Sequence, residues 1–467
     1  MTTGLYHTDF LLTTAMGKML YHEVAAKLPI IDPHNHLDPA MLAENKPFAG
    51  IYELWVEKDP YKHRAMRICG VEEALITGNA PAYEKFAAWA GCCPATAGNP
   101  LYHWSAMELQ QLFGIDKALS SDTSRETWEV ANEYLQKEQV GAIDLLRKFK
   151  VEKLCTSDDL LDTLAHHSIV ASTQESVQCL PSLRGDSILA FEQPGFSKWL
   201  QQLSDITTTP INHLEDYTVA INQRLDFFNT AGCLLSDHSL DSGFAYSSTD
   251  SYTAAPLFER VLQQQSLTPA EKVQLQSYLL QFLGEAYAAR QWGMQLHIGA
   301  YRYTSSVLRA KLGPAGGYAC IGNTLDVPSL CSLLDDLDKN GSLPKTILYT
   351  LNPADNAVLA SITGSYAQDG VQGKIQYGPA WWYNDHFDGI TDQLKALSSY
   401  GLLSTSIGMT TDSRSLLSFV RHEYYRRILC NFLGEQVASG RLPKDESLLA
   451  GIVQQVCYDN IKQWLKK

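Results

Sequence analysis

The sequence predicts an α/β fold, a distorted (β/α)8 barrel of the TIM type with a large helical insertion after its first strand. Three observations carry that expectation. Eight short apolar runs recur along the 467 residues, helical periodicity fills most of the intervals, and polar side chains gather where the runs end. Alternating strands and helices imply a parallel sheet, eight such units suggest closure into a barrel, and barrels of this kind place their active sites at the strands' C-terminal ends.

Residues 1–27 read as a helical lead-in, with Leu11-Leu12, Met16, Leu20 and Val24 at helical spacing. Leu28 to Ile31 is the first buried strand, and it runs into Asp32-Pro33-His34-Asn35-His36-Leu37. From about Pro39 to Lys150 helical periodicity dominates; within Ser121 to Gln136, for example, Trp128, Ala131 and Leu135 share a face. Pro94, Gly98 and Pro100 mark loops in this stretch. One strand cannot form a core before it, so it reads as an insertion. The organisation is then 1–38 for the lead-in and first strand, 39–150 for the insertion and 151–467 for the rest of the barrel.

Val151 to Cys155 is the second strand, ending in Thr156-Ser157-Asp158-Asp159; Val177 to Leu183 is the third, ending at Arg184; Cys233 to Leu235 is the fourth, ending in Ser236-Asp237-His238. Thr268-Pro269-Ala270-Glu271 is a capping box with proline at the first helical position, opening a helix to about Arg290. The fifth strand, Met294 to Ile298, carries His297. A helix around Val327 to Leu337 stops at Asn340-Gly341, and Lys345 to Thr350 is the sixth strand, ending in Asn352-Pro353. Gly373 to Tyr377 is the seventh, ending in Gly378-Pro379-Ala380-Trp381-Trp382; a helix from about Phe387 to Leu397 follows. Leu403 to Met409 is the eighth, ending in Thr410-Thr411-Asp412-Ser413-Arg414.

Composition narrows the function. A net charge of −14 opposes binding to phosphate backbones, so nucleic acid is not the expected partner, and an anionic ligand would need a local arginine cluster. The ten cysteines form no Cys-x-x-Cys pair, which suggests free thiols in a reducing cytosol. No secretory signal and no run of 18 apolar residues is visible, so no membrane span is expected.

The strand ends supply the chemistry. Strand side chains alternate faces, so His34 and His36 point the same way and can share one divalent metal. A lone His-x-His is more often one buried and one exposed imidazole. Here the barrel also gathers His297 from strand five and Asp412 from strand eight, giving a site for zinc, with manganese or iron as alternatives. Arg184 and Arg414 add positive charge at that rim. Trp381-Trp382-Tyr383 offers an aromatic face to a sugar ring, although tryptophan pairs more often simply pack. Tyr61, Lys62, Arg64 and Arg67 read first as a solvated helix face and second as a group reaching over the barrel mouth. His238 beside Asp237 reads as a helix cap rather than a pair. Gly313-Pro314-Ala315-Gly316-Gly317 reads as a flexible loop, and no glycine pattern for nucleotides is present.

Motifs along almost the whole chain resemble those of the uronate isomerase (glucuronate isomerase) family within the amidohydrolase superfamily. They are Ile31-Asp32-Pro33-His34-Asn35-His36-Leu37, Tyr61-Lys62-His63-Arg64-Ala65-Met66-Arg67, Asn99-Pro100-Leu101-Tyr102-His103-Trp104 and Thr156-Ser157-Asp158-Asp159. Met294-Gln295-Leu296-His297-Ile298-Gly299, Leu351-Asn352-Pro353-Ala354-Asp355-Asn356 and Tyr377-Gly378-Pro379-Ala380-Trp381-Trp382 continue the series. Thr411-Asp412-Ser413-Arg414-Ser415 and Arg421-His422-Glu423-Tyr424 complete it. The chain departs from the family pattern at Asp59-Pro60-Tyr61-Lys62-His63-Arg64 and Ser182-Leu183-Arg184-Gly185-Asp186, keeping the charged and phenolic positions.

The resemblance implies aldose–ketose interconversion of D-glucuronate with D-fructuronate and of D-galacturonate with D-tagaturonate, through an enediol. It implies Asp412 as the base, Arg414 supporting the enediolate, and Tyr61 assisting proton movement. Arg184, His297 and Trp381 would hold substrate, with Arg184 gripping the carboxylate, and His34, His36 and Asp412 would hold one divalent metal; no organic cofactor is expected. The expected setting is a cytoplasmic homo-oligomer acting on a small hexuronate. A metal-dependent hydrolase on the same barrel is the alternative. Such hydrolases usually add a further strand-end histidine and often a lysine, whereas the sixth strand here ends in Asn352-Pro353. A non-catalytic uronate-binding scaffold is the third reading, and it would not need a base beside a metal.

Overall fold

The computed structural model describes residues 4–314 and 316–466. Its core is a distorted (β/α)8 barrel. The strands are β1 (Ile30–Asp32), β2 (Val151–Cys155), β3 (Gln178–Leu180), β4 (Ser182–Arg184), β5 (Leu235–Leu240), β6 (Gly293–Ile298), β7 (Thr346–Thr350) and β8 (Ile375–Tyr377). Every ladder between them is parallel, and order in space follows order in sequence. β6 and β7 are buried along their whole length, as strands covered on both faces must be.

Three of the expected strands form differently. The third is broken at Pro181, which has no N–H for a ladder; β3 pairs with β2, while β4 pairs with β5. The fourth begins at Leu235 and continues through Ser236-Asp237-His238 to Leu240, beyond the apolar run that marks its start. Polar residues persist there because alternate side chains face the barrel mouth.

The eighth is the largest difference. Leu403–Thr405 is a turn of 3₁₀ helix, and residues 406–411 join no ladder. The barrel is closed there largely by side chains. The buried Asp32 carboxylate accepts from Thr410 Oγ1 at 2.5 Å, Thr411 N at 3.1 Å and Thr411 Oγ1 at 2.6 Å. Asp412 N then donates to His34 O, and His36 N to Ser413 O, both at 3.0 Å. On the other flank Gln376 Nε2 reaches Thr405 O at 3.0 Å. Hydroxyl and carboxylate groups thus take over pairing that backbone amides make elsewhere.

Between β1 and β2 the chain is helical, including Pro60–Ile68, Ala82–Cys92 and Pro100–Phe113. The lead-in is helical only from Ala15, with Ala15–Met19 followed by a π turn at Leu20–Val24; Leu11 has φ +62°, which ends any regular helix before it. Met1–Thr3 lie outside the described residues, as does Ala315 of the glycine-rich loop. The helix Pro269–Ala289 carries the complete capping box at Thr268 and Glu271. The buried helix Val420–Ala438 ties the lead-in to the barrel: Arg426 donates to the carbonyls of Leu28 (2.8 Å) and Pro29 (2.5 Å), and Arg427 to those of Thr8 (2.8 Å) and Phe10 (3.0 Å).

Candidate active site

A cavity of about 370 Å³ opens at the C-terminal ends of the strands. His34, His36, Tyr61, Arg184, His297, Trp381, Asp412 and Arg414 all line it. Asp412 is its centre. One carboxylate oxygen, Oδ1, faces His34 Nε2 at 3.3 Å and His36 Nε2 at 3.0 Å. The other, Oδ2, accepts the indole N–H groups of Trp381 and Trp382, both at 2.6 Å. The tryptophan pair therefore does something neither expected reading contained: it anchors a carboxylate. Asp412 itself sits at φ +44°, a left-handed backbone that non-glycine residues rarely adopt.

Burial pushes the Asp412 carboxyl up, but hydrogen bonds from His34 and His36 outweigh it and hold the group well below the usual carboxylate range. Burial lowers His34 and the neighbouring Asp412 and Asp237 raise it, the net shift being upward. His36 is lowered by burial, against the pull of Asp412. His297 lies well below the ordinary imidazole value, through burial and the nearby His34. Its ring stacks on Tyr349 with centroids 4.6 Å apart, and its Nε2 is buried without a hydrogen-bond partner among the described residues.

The ligand atoms of His34, His36 and Asp412 lie within 4.8 Å of one another, as do those of His34, Asp237 and His297. Two imidazole nitrogens and an ionised carboxylate oxygen converging on one point form a donor set that fits a divalent metal.

The insertion contributes one wall. Asp59 caps the helix Pro60–Ile68 by accepting from Tyr61 N and Lys62 N, with Pro60 in the first turn. That start delivers Tyr61 to the cavity. Burial drives the Tyr61 phenol well above its ordinary value, so it stays protonated and able to donate. Arg64 also lines the cavity and donates to Gly317 O and Ala319 O, its guanidinium lying 4.7 Å from the Tyr383 ring. Lys62 turns inward to Asp59, and Arg67 pairs with Glu73, so the expected solvated face is divided among cavity, core and loop.

Arg184 is not a free bidentate fork. Its Nε and Nη2 both contact Asp186 Oδ2, at 3.0 and 2.9 Å, which leaves Nη1 to turn elsewhere. Arg414 is exposed at the mouth and makes no hydrogen bond or ion pair among the described residues.

Sequence reasoning passed over several groups. Asp237 lines the cavity and accepts Ser157 Oγ on both oxygens, at 3.0 and 3.1 Å. His238 points the other way to Tyr287 OH at 2.9 Å, so it is a core histidine and not a helix cap. Strand alternation through Asp237-His238-Ser239 was the signal available, since Asp237 and Ser239 share the cavity side. Arg302 reaches the cavity on a Ser239 and Asp241 anchor, 5.1 Å from the Trp382 ring. Arg421, fully buried, joins Asp385 Oδ2 at 2.7 Å to Thr411 O beneath Asp412, and lies 5.7 Å from the Tyr61 ring.

A profile of the glucuronate isomerase family matches residues 1–465. The chain is similar to the uronate isomerase of Bacillus licheniformis, 45% identical over 458 residues, covering 98% of this chain and 97% of the relative. Its fold matches the crystal structure of a uronate isomerase from Thermotoga maritima with a TM-score of 0.93 at 34% identity, over 98% of this chain and 99% of the other. A glucuronate isomerase from Caulobacter crescentus shares the fold with a TM-score of 0.91 at 23% identity, over 98% and 96%.

Proposed function

Since this chain belongs to the glucuronate isomerase family, we propose that its cavity interconverts D-glucuronate with D-fructuronate and D-galacturonate with D-tagaturonate. The enzyme is an aldose–ketose isomerase. The observation that carries the detailed reading is the placement of Asp412, ionised and fixed from behind by two indoles, on the same cavity as a protonated phenol and several arginines.

The reaction moves a proton from C2 of the open-chain aldose, next to the C1 carbonyl, and returns one to C1. Asp412 takes the C2 proton. The hydrogen bonds from His34 and His36 that hold its carboxyl well below the usual range keep it ionised near neutral pH, so it is ready to accept that proton. The larger requirement is to stabilise the enediolate oxygens. Arg414, unengaged at the mouth, supplies charge for that, and the Tyr61 phenol donates to the oxygens and moves protons between them. Arg184 turns its remaining edge to the substrate carboxylate, while His297 and Trp381 bound the sugar. A cavity of about 370 Å³ lies in the range of small-molecule sites. His34, His36 and Asp412 would hold a divalent metal, which would supply Lewis-acid polarisation of the substrate oxygens, and zinc is the ion this donor set suits first.

The hydrolase reading draws less support. After β7, Asn352 spends its side chain on Ala354 N and Gly322 O, so that strand end turns no imidazole toward the cavity. A cytoplasmic setting agrees with ten free cysteines, and among the described residues no helix is long and apolar enough to cross a membrane. Homo-oligomeric assembly is the accompanying expectation, measured by sedimentation.

Incubation with D-glucuronate in D₂O, followed by NMR, tests the function. Ketose formation with deuterium entering at the reacting carbons is expected. Absence of isomerisation, together with cleavage of an amide or ester derivative of the uronate supplied in a parallel incubation, overturns the proposal in favour of the hydrolase, and saturable binding without turnover does so in favour of a scaffold. Metal analysis of the purified protein identifies the ion.

A further inference from the structure

Outside the cavity, two thiols meet. The sulfurs of Cys69 and Cys92 lie 2.7 Å apart. Cys69 follows the helix Pro60–Ile68 and is exposed; Cys92 closes the helix Ala82–Cys92 and is buried. A disulfide holds its sulfurs about 2.05 Å apart, so less than an ångström of approach separates contact from bond.

We propose that Cys69 and Cys92 form a reversible dithiol–disulfide modification site whose co-reactant is a low-molecular-weight disulfide. Exposure sets the order of events. The Cys69 thiolate attacks one sulfur of the small disulfide RSSR; a Cys69–S–S–R bond forms and RS⁻ leaves. The Cys92 thiolate then attacks the Cys69 sulfur, the Cys69–Cys92 bond forms, and the second RS⁻ leaves. The two protein thiols give up two protons and two electrons, and RSSR becomes two RSH. Burial, with the neighbouring Cys69 sulfur, pushes the Cys92 thiol up to about 12. Cys92 is therefore a resolving group and not an independent target.

The bond ties the back of the helix that carries Tyr61 and Arg64 to the neighbouring helix. Since the sulfurs already touch, closure does not pull Tyr61 from the cavity, and turnover is retained. The gain is in resistance to unfolding, because the cross-link restricts the unfolded chain. A rise in melting temperature on the order of 5 °C is the expected reading.

The test treats the full-length protein with glutathione disulfide, digests it with trypsin without reduction and analyses it by mass spectrometry. Peptides 68–85 and 86–117 should appear joined, with fragmentation placing the bond at Cys92 rather than the adjacent Cys93. The link and the rise in melting temperature should vanish with reductant and in Cys69→Ser. In Cys92→Ala, glutathione should stay on Cys69. Glutathione retained on Cys69 of the unsubstituted protein, a bond through Cys93, or no reaction at Cys69 would each overturn the site. Its failure leaves the isomerase reading untouched, because isomerisation of D-glucuronate is measured separately.

Discussion

Two clusters of buried charge lie near each other and are satisfied to different degrees. In the insertion, Lys62 is buried against Asp59 at 2.5 Å and Glu108 at 3.6 Å, while Trp55 Nε1 donates to Glu108 at 2.5 Å. Each charge there faces an opposite charge or a donor, and none of the three lines the cavity. In the barrel mouth, Asp412 is equally well held, but His34 Nδ1 and His297 Nε2 are buried with no hydrogen-bond partner among the described residues. Unsatisfied buried nitrogen costs stability, on the order of 1–3 kcal/mol for each group. The first cluster spends its polar groups on itself and fixes a helix. The second leaves two buried nitrogens at the cavity residues unspent.

Breaking each cluster should therefore give different phenotypes. The largest effect is expected for Asp412→Asn, with turnover falling about 10²- to 10⁴-fold, the usual worth of a positioned base. Substrate affinity, measured by equilibrium binding, should survive, and unchanged turnover would remove Asp412 from the chemistry. Lys62→Met should act on the fold instead. It strands two buried carboxylates and should cost about 3–5 kcal/mol in urea denaturation. Equal stability of the variant would show that the insertion cluster holds nothing.

Trp382→Phe sharpens the comparison from the other side. It takes away one of two donors on Asp412 Oδ2, an interaction of about 1.5–3 kcal/mol. A donor to the ionised form lowers a carboxyl pKa, so its loss raises it, and the acid limb of the kcat profile should move to higher pH. An unmoved limb with lowered kcat would mean that the indole only packs. The smallest effect concerns acid. Burial pushes Asp59 up, but Lys62 prevails and holds it below its ordinary value. Its stabilisation is thus complete above the unfolded carboxylate value, about 3.9, and is lost as pH falls through the folded value. The stability difference between the unsubstituted protein and Asp59→Asn should narrow below about pH 4. A difference that stayed constant to pH 2 would contradict the pairing.

Legibility in the sequence followed the kind of interaction involved. β6 and β7 are plain because strands buried on both faces must be continuous apolar runs, and the capping box at Thr268 is plain because its partners are three residues apart. The eighth unit is not plain. Its apolar run predicts a ladder, but Asp32, nearly 380 residues away, takes the hydroxyls of Thr410 and Thr411. Asp237 hid behind a strand that outran its apolar part.

The order of the strands, the polar groups at most of their ends and the eight predicted residues that line the cavity were present in the sequence, because hydrophobic period and strand alternation are local. Only the tertiary structure decided what each group is free to do. It gave one oxygen of Asp412 to the indoles of Trp381 and Trp382, half of Arg184 to Asp186, and Lys62 to a buried carboxylate pair. Those outcomes depend on distances between side chains far apart in the chain, and no local pattern encodes such distances.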